Sequence, residues 1–185
     1  MNIPLMKTLY LLRHGQAPWL PEASDDFCRS LDITGQRQAA IVGLRLARSE
    51  AKPELIIASP ATRTRQTARI VAKALSYPEK NIRYAQEIYA ADVWRLAELV
   101  RANPASLNAF LLVGHNPVLA DFGEWLTGEH YGHLPTCGIL AIGFNATEWE
   151  EIDRCKGRPL WRTGDRGQVS GSRGTGVRRH LTGFR

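Results

Sequence analysis

Three stretches of this chain carry side chains that could grip or attack an anion: Arg13-His14-Gly15, Ser59-Pro60 with Arg63, and Gly114-His115-Asn116-Pro117. An arginine offers a planar fork of donors matched to phosphate oxygens. A neutral histidine has a ring nitrogen that can attack and then carry a covalent group. Gly15 lets the backbone turn sharply and admits a ligand close to the main chain. Taken singly, each residue has a plain structural explanation. His115 could be a hydrogen-bonded turn residue, and Arg63 a solvated arginine on a helix surface, like Arg65 and Arg69. Their shared setting gives them weight, because each stretch follows a short apolar run that reads as a buried strand.

Those runs are residues 8–12, 54–58 and 109–113. In an open α/β sheet, ligands collect beyond the carboxyl ends of the strands. The second and third runs lead straight into helices, with proline near the first helical position each time. Free amides and the dipole at helix starts favour an anion. Two arginines and two histidines gathered there would make a phosphate-selective pocket.

The remaining pattern supplies the elements that would hold these ends together. A helix is expected over residues 35–50, with Thr34 as its cap and Ala39, Val42, Leu46 and Ala47 as its apolar stripe. A second is expected over residues 60–75, opened by Ser59. Residues 82–84 read as an edge strand, and Asp92 as the cap of a helix reaching about residue 101. A further helix spans residues 117–126, and residues 138–144 and 149–152 read as a closing antiparallel pair. The proline- and acid-rich stretch 16–26 reads as a surface loop beside the site.

The composition of the 185-residue chain, 44% hydrophobic and 23% charged, belongs to the ordinary globular class with one well-buried core. No apolar run approaches the roughly 20 residues that cross a bilayer, and no secretory signal is evident at the N-terminus. Met6 is an alternative start to Met1. The three cysteines, Cys28, Cys137 and Cys155, are far apart and odd in number. That argues against a disulfide framework or zinc site and points to a reducing cytoplasm. The net charge of +6 is concentrated in residues 162–185, which hold six arginines and one aspartate. The chain therefore divides into a folded domain over residues 1–161 and a basic Gly/Arg-rich tail over 162–185, expected to be disordered. A nearly neutral domain is poor support for a nucleic-acid partner.

Leu12-Arg13-His14-Gly15 resembles the signature of the histidine phosphatase superfamily, the phosphoglycerate mutase-like fold. Leu31-Asp32-Ile33-Thr34-Gly35, Ala58-Ser59-Pro60 through Arg63 with Gln66-Thr67, and Gly114-His115-Asn116-Pro117 match its later blocks in order. The likeness covers residues 7–160. Within the superfamily the short chain, the brief gap from His14 to Leu31, and Pro135-Thr136 resemble the small phosphohistidine phosphatases of the SixA type.

The resemblance implies a three-layer α/β/α sandwich with a mostly parallel sheet. It implies that His14 is the nucleophile and that Arg13, Arg63 and His115 hold the phosphate oxygens. His14 must be neutral to attack, whereas His115 is expected to be protonated when it grips phosphate. No cofactor or metal is implied. Glu87 falls where many members carry an acid for the leaving oxygen, with Asp92 as the alternative. The continuation after Glu87 lacks the Gly-x-Trp-Glu-Gly pattern of many mutase-like phosphatases. That favours a phosphorylated protein, a phosphohistidine above all, over a small phosphoester such as a sugar, nucleotide or glycerate phosphate. A catalytically silent phosphate- or phosphoprotein-binding module is the reading from another class. No membrane partner is expected.

Overall fold

The structure, a computed structural model, describes residues 6–19 and 25–163. Six strands form it: β1 (Met6–Arg13), β2 (Leu55–Ala58), β3 (Arg83–Tyr84), β4 (Ala109–Gly114), β5 (Ile139–Asn145) and β6 (Arg158–Thr163). They make one sheet in the order β3-β2-β4-β1-β5-β6. β1, β2, β3 and β4 pair in parallel, and β5 runs against both of its neighbours. Four helices connect them: α1 (Ile33–Leu46), α2 (Thr62–Ala74), α3 (Val93–Arg101) and α4 (Val118–Thr127).

The period-two alternation of side chains divides the core into two layers. Leu9, Leu11, Phe110 and Leu112 face one way and pack with Leu96 and Val100 of α3 and Phe122 and Leu126 of α4. Tyr10, Leu12, Leu111 and Val113 face the other way, onto Val42 and Leu46 of α1 and Ala68 and Val71 of α2. Both faces of β1 and β4 are thus buried, which is why Leu9 to Leu12 of β1 and the whole of β4 are apolar. The result is the expected α/β/α sandwich with a largely parallel sheet. Among the described residues no helix is long and apolar enough to cross a membrane.

Several boundaries differ from those the sequence suggests. Asp32, not Thr34, caps α1, accepting from Gly35 N at 2.7 Å, and the helix ends at Leu46. α2 begins at Thr62, and Ser59 does not cap it: its amide continues the sheet ladder to Val113 O at 3.0 Å and its Oγ meets His115 Nε2 at 2.8 Å. Ala61 takes the cap position without a side-chain bond.

The largest correction concerns residues 149–152. Trp149–Glu151 is a single 3₁₀ turn, closed by a reciprocal cap between Glu148 and Glu151. Trp149 is fully buried and donates from Nε1 to Leu107 O at 2.7 Å. Its aromatic bulk fills the core instead of extending a strand. The partner of β5 is β6, which runs through Arg162 and Thr163. The sheet thus takes in the first two residues of the stretch assigned to the tail. Residues 164–185 lie outside the described residues.

Candidate active site

The sheet order places β2, β4 and β1 side by side, and their carboxyl ends finish level. Ala58 lies opposite Val113, and Arg13 opposite Gly114. The ladder continues past the strand ends: His14 N donates to Gly114 O at 3.1 Å, and Cys137 N to His14 O at 3.0 Å. The three stretches singled out in the sequence therefore meet at one mouth.

Backbone contact explains the glycines and the small polar residues between these stretches. A Cβ on Gly15 would lie 2.7 Å from Gly35 O, and one on Gly35 would lie 2.2 Å from Gln16 O. Only two glycines let the turn after β1 cross the start of α1 this closely. Gly15 N donates to Thr67 Oγ1 at 3.1 Å, Leu31 N to Gln66 Oε1 at 2.7 Å, and Gln16 Nε2 to Asp32 Oδ2 at 2.9 Å. The second and third sequence blocks are thus the braces that fix the His14 turn.

His14 is 8% exposed and its Nδ1 lies 2.7 Å from Gly15 O. Since a carbonyl only accepts, Nδ1 carries the proton and Nε2 is left unprotonated, an acceptor. Arg63 Nε points at that nitrogen from 3.3 Å, and Arg63 Nη2 approaches His115 Nδ1 at 3.4 Å. Because a guanidinium only donates, Nδ1 of His115 is the acceptor there, and the proton of the neutral ring sits on Nε2, which meets Ser59 Oγ at 2.8 Å on the far side. The two imidazoles stand with centroids 5.4 Å apart, and the Tyr89 ring packs edge-on against His115. Burial, with the charges of Arg63, Arg13 and Arg29, pushes His14 down to about 4 despite the Gly15 carbonyl. Burial and Arg63 push His115 down to about 3. Both rings are neutral at pH 7 as they stand. The charged form expected of His115 on phosphate binding is opposed here first by burial and then by Arg63.

Arg13 is anchored from the opposite wall. Its Nη1 donates to Leu134 O at 2.8 Å and meets His133 Nε2 at 2.8 Å. Asn116 Nδ2 donates to the same Leu134 O at 2.8 Å. The space between is a cleft of about 470 Å³, whose lining includes Arg13, His14, Arg63 and His115 with Gln16, Asp26, Arg29 and Thr136. All four residues expected to handle phosphate are brought together.

Glu87 is not among the cleft's lining residues. It sits in the 3₁₀ turn Gln86–Ile88, with Oε1 3.7 Å from Arg95 Nη2. Asp92 is occupied as the α3 cap, accepting from Arg95 N at 2.8 Å. The carboxylate the structure does place in the cleft is Asp26, from the surface loop expected beside the site but not among the expected site residues. Asp26 Oδ2 accepts from Arg63 Nη2 at 2.7 Å and Tyr89 OH at 3.1 Å, and Oδ1 accepts from Arg29 Nε at 2.9 Å. Partial burial would raise its acid, but Arg63, Arg29 and Tyr89 together hold it at about 2. Arg29, Tyr89 and His133 are likewise absent from the sequence-based set. Only the spacing of Asp26 and Arg29, three apart as in a paired turn, hints at them. Among the described residues no group of three His, Cys, Asp or Glu side chains is placed to hold a metal ion.

Residues 9–126 match the family described as histidine phosphatase superfamily, branch 1, and the chain belongs to that superfamily. A curated but uncharacterised protein of Picosynechococcus is 33% identical over 141 residues, 72% of this chain and 83% of its own. Among solved structures, the Agrobacterium tumefaciens protein assigned as phosphohistidine phosphatase SixA is 28% identical with a TM-score of 0.71, covering 85% of this chain and 97% of that one. A mycobacterial glucosyl-3-phosphoglycerate phosphatase has a TM-score of 0.62 at 16% identity, covering 83% and 97%, which is likeness of fold alone.

Proposed function

We propose that this chain is a SixA-type phosphatase that removes phosphate from a protein-borne phosphohistidine by way of phospho-His14. The observation that carries the reading is the unprotonated Nε2 of His14, turned into the cleft and accepting from Arg63 Nε at 3.3 Å, where a phosphoryl group could take the arginine's place. The lone pair of Nε2 would form the N–P bond as the bond to the leaving nitrogen breaks. Arg13, Arg63 and His115 would hold the equatorial oxygens, where charge accumulates in the transition state. A phosphate dianion among them would favour protonated His115, opposing the effects of burial and of Arg63. Water would then attack phospho-His14, forming the P–O bond, returning the lone pair to Nε2 and leaving its proton to solvent and phosphate.

The carboxylate in the cleft supports the substrate class. Asp26, held ionised at about 2, has no proton to give at neutral pH. A departing imidazole has a reference pKa of about 6.5 and needs little help, whereas an alkoxide needs an acid. A phosphorylated histidine on a partner protein fits such a site better than a sugar or glycerate phosphate. A reducing cytoplasm suits the three free thiols.

The test is phosphate release from a phosphohistidine protein measured beside a panel of sugar phosphates, nucleotides and phosphoglycerates. Preference for the phosphohistidine protein is expected. Faster turnover of an alkyl phosphate would move the enzyme to the small-molecule branch.

A further inference from the structure

Three side chains converge on Asp26, and their geometry assigns it a task. A guanidinium has two forks of donors, one from Nη1 and Nη2 and one from Nε and Nη2. Arg63 commits the first to Asp26: Nη1 donates to the Asp26 carbonyl and Nη2 to Oδ2 at 2.7 Å. The second fork faces the two histidines, Nε toward His14 at 3.3 Å and Nη2 toward His115 at 3.4 Å. Arg63 is 4% exposed, so it has little freedom to trade one fork for the other. Nη2 belongs to both forks.

Resting on the phosphatase reading above, we infer that Asp26 shares Arg63 with the phosphoryl group, seating the arginine for substrate and weakening its grip on the phosphate product. An oxygen accepting from the second hydrogen of Nη2 would lie about 5 Å from Asp26 Oδ2, given ordinary hydrogen-bond lengths. Two anionic acceptors would then flank one nitrogen. At that separation the carboxylate repels a phosphate dianion appreciably. Arg29 and Tyr89 moderate the repulsion, since Arg29 Nη2 lies 2.8 Å from Oδ1 and Tyr89 OH 3.1 Å from Oδ2. Tyr89 also packs on His115, so the carboxylate, the arginine and the imidazole are linked in one cluster. Such a device suits a hydrolase, which must bind phosphate twice, as substrate and as product, and release it once.

The experiment is calorimetric titration of inorganic phosphate into wild type, Asp26→Asn, Asp26→Glu and Arg63→Ala, with turnover of an aryl phosphate measured in parallel. Asp26→Asn is expected to bind phosphate about tenfold more tightly while turning over more slowly. Asp26→Glu, which restores the charge, is expected to return phosphate affinity to within about threefold of wild type. Asp26→Ser provides a second neutral variant if the amide disturbs folding, and the same tightening is expected of it. A residue that merely braced the loop would show weaker phosphate binding in every neutral variant. That outcome, or unchanged affinity in both Asp26→Asn and Asp26→Ser, overturns the inference while leaving the site intact, provided Arg63→Ala abolishes binding. If wild type neither binds phosphate nor hydrolyses a phosphoester, the phosphatase reading fails, and this inference with it.

Discussion

The strand ends and the rim loops of the cleft are built on different principles. His14, Ser59 and His115 follow directly on β1, β2 and β4, and main-chain bonds tie the first two to β4, His14 N to Gly114 O and Ser59 N to Val113 O. Asp26, Arg29 and His133 sit on chain without helix or strand, and reach the site mainly through side chains, with the Asp26 carbonyl accepting from Arg63 as well. The contrast shows a division of labour. The sheet sets where the reacting atoms are, to the accuracy of a hydrogen-bond ladder. The rim sets which way the cations face and how much free charge they carry.

If that division is right, the severest losses should come from the strand ends. His14→Ala is expected to lower hydrolysis by about 10³-fold or more, with the fold retained. Rapid-quench labelling should trap an acid-labile, base-stable phosphoenzyme in wild type and none in the variant. Label on a serine would break the scheme.

Next come the oxygen-holding residues. Arg63→Ala and His115→Ala should each cost roughly 10²–10³-fold in kcat, as losing an oxyanion donor does. Arg65→Ala makes the comparison sharp. Arg65 points outward and lies over the Tyr84 ring, 4.7 Å from its centroid, so its loss should leave turnover within about twofold. Equal damage from Arg65→Ala would show that the α2 face had been misassigned.

The buried histidines should also write themselves into the stability curve. Both are held neutral, His14 down to about 4 and His115 to about 3, against an ordinary value of 6.5. As pH falls below 6.5 the unfolded chain takes up protons that the folded rings refuse. Stability should therefore fall as pH is lowered from 6.5 toward 4. Denaturant melts across that range should show a shallower decline in His115→Ala than in wild type. An identical slope would mean the rings are not held neutral. In phosphate buffer the decline should lessen, because the anion favours the charged ring.

The smallest effect is expected at Glu87. Its carboxylate faces an exposed arginine at 3.7 Å, an arrangement of little energetic weight. Glu87→Gln should change turnover of both aryl phosphate and phosphohistidine protein by less than about twofold. A loss of about 10²-fold confined to alkyl phosphates would instead identify a general acid.

Much of the strand-end half of this contrast is legible in the residues themselves. The buried strands 8–12, 54–58 and 109–113 are strongly apolar and end in turn residues, so their existence and direction follow from pattern. The Asp92 cap is readable because an acidic residue directly precedes an amphipathic run. The helix starts after β2 and near α1 differ from expectation by a residue or two, because several capping residues compete there. At α1 both Asp32 and Thr34 suit a cap, and contact with Gln16 decides for Asp32. The strand expected over residues 149–152 fails for a tertiary reason, since Trp149 is drawn into the core between Phe110 and Phe144.

Local pattern thus suffices for a parallel α/β core with Arg13, His14, Arg63 and His115 at strand ends and helix starts. Its ingredients are hydrophobic period, turn chemistry and the residues immediately following a strand. Long-range packing was needed to bring Asp26 of a loop, 37 residues from Arg63, onto one fork of that arginine and leave the other to the histidines. It was needed equally to stand Glu87 outside the cleft. Side chains on irregular chain have no period to betray them. Their partners are chosen by how the loops close over the sheet, and that depends on contacts between residues far apart in sequence.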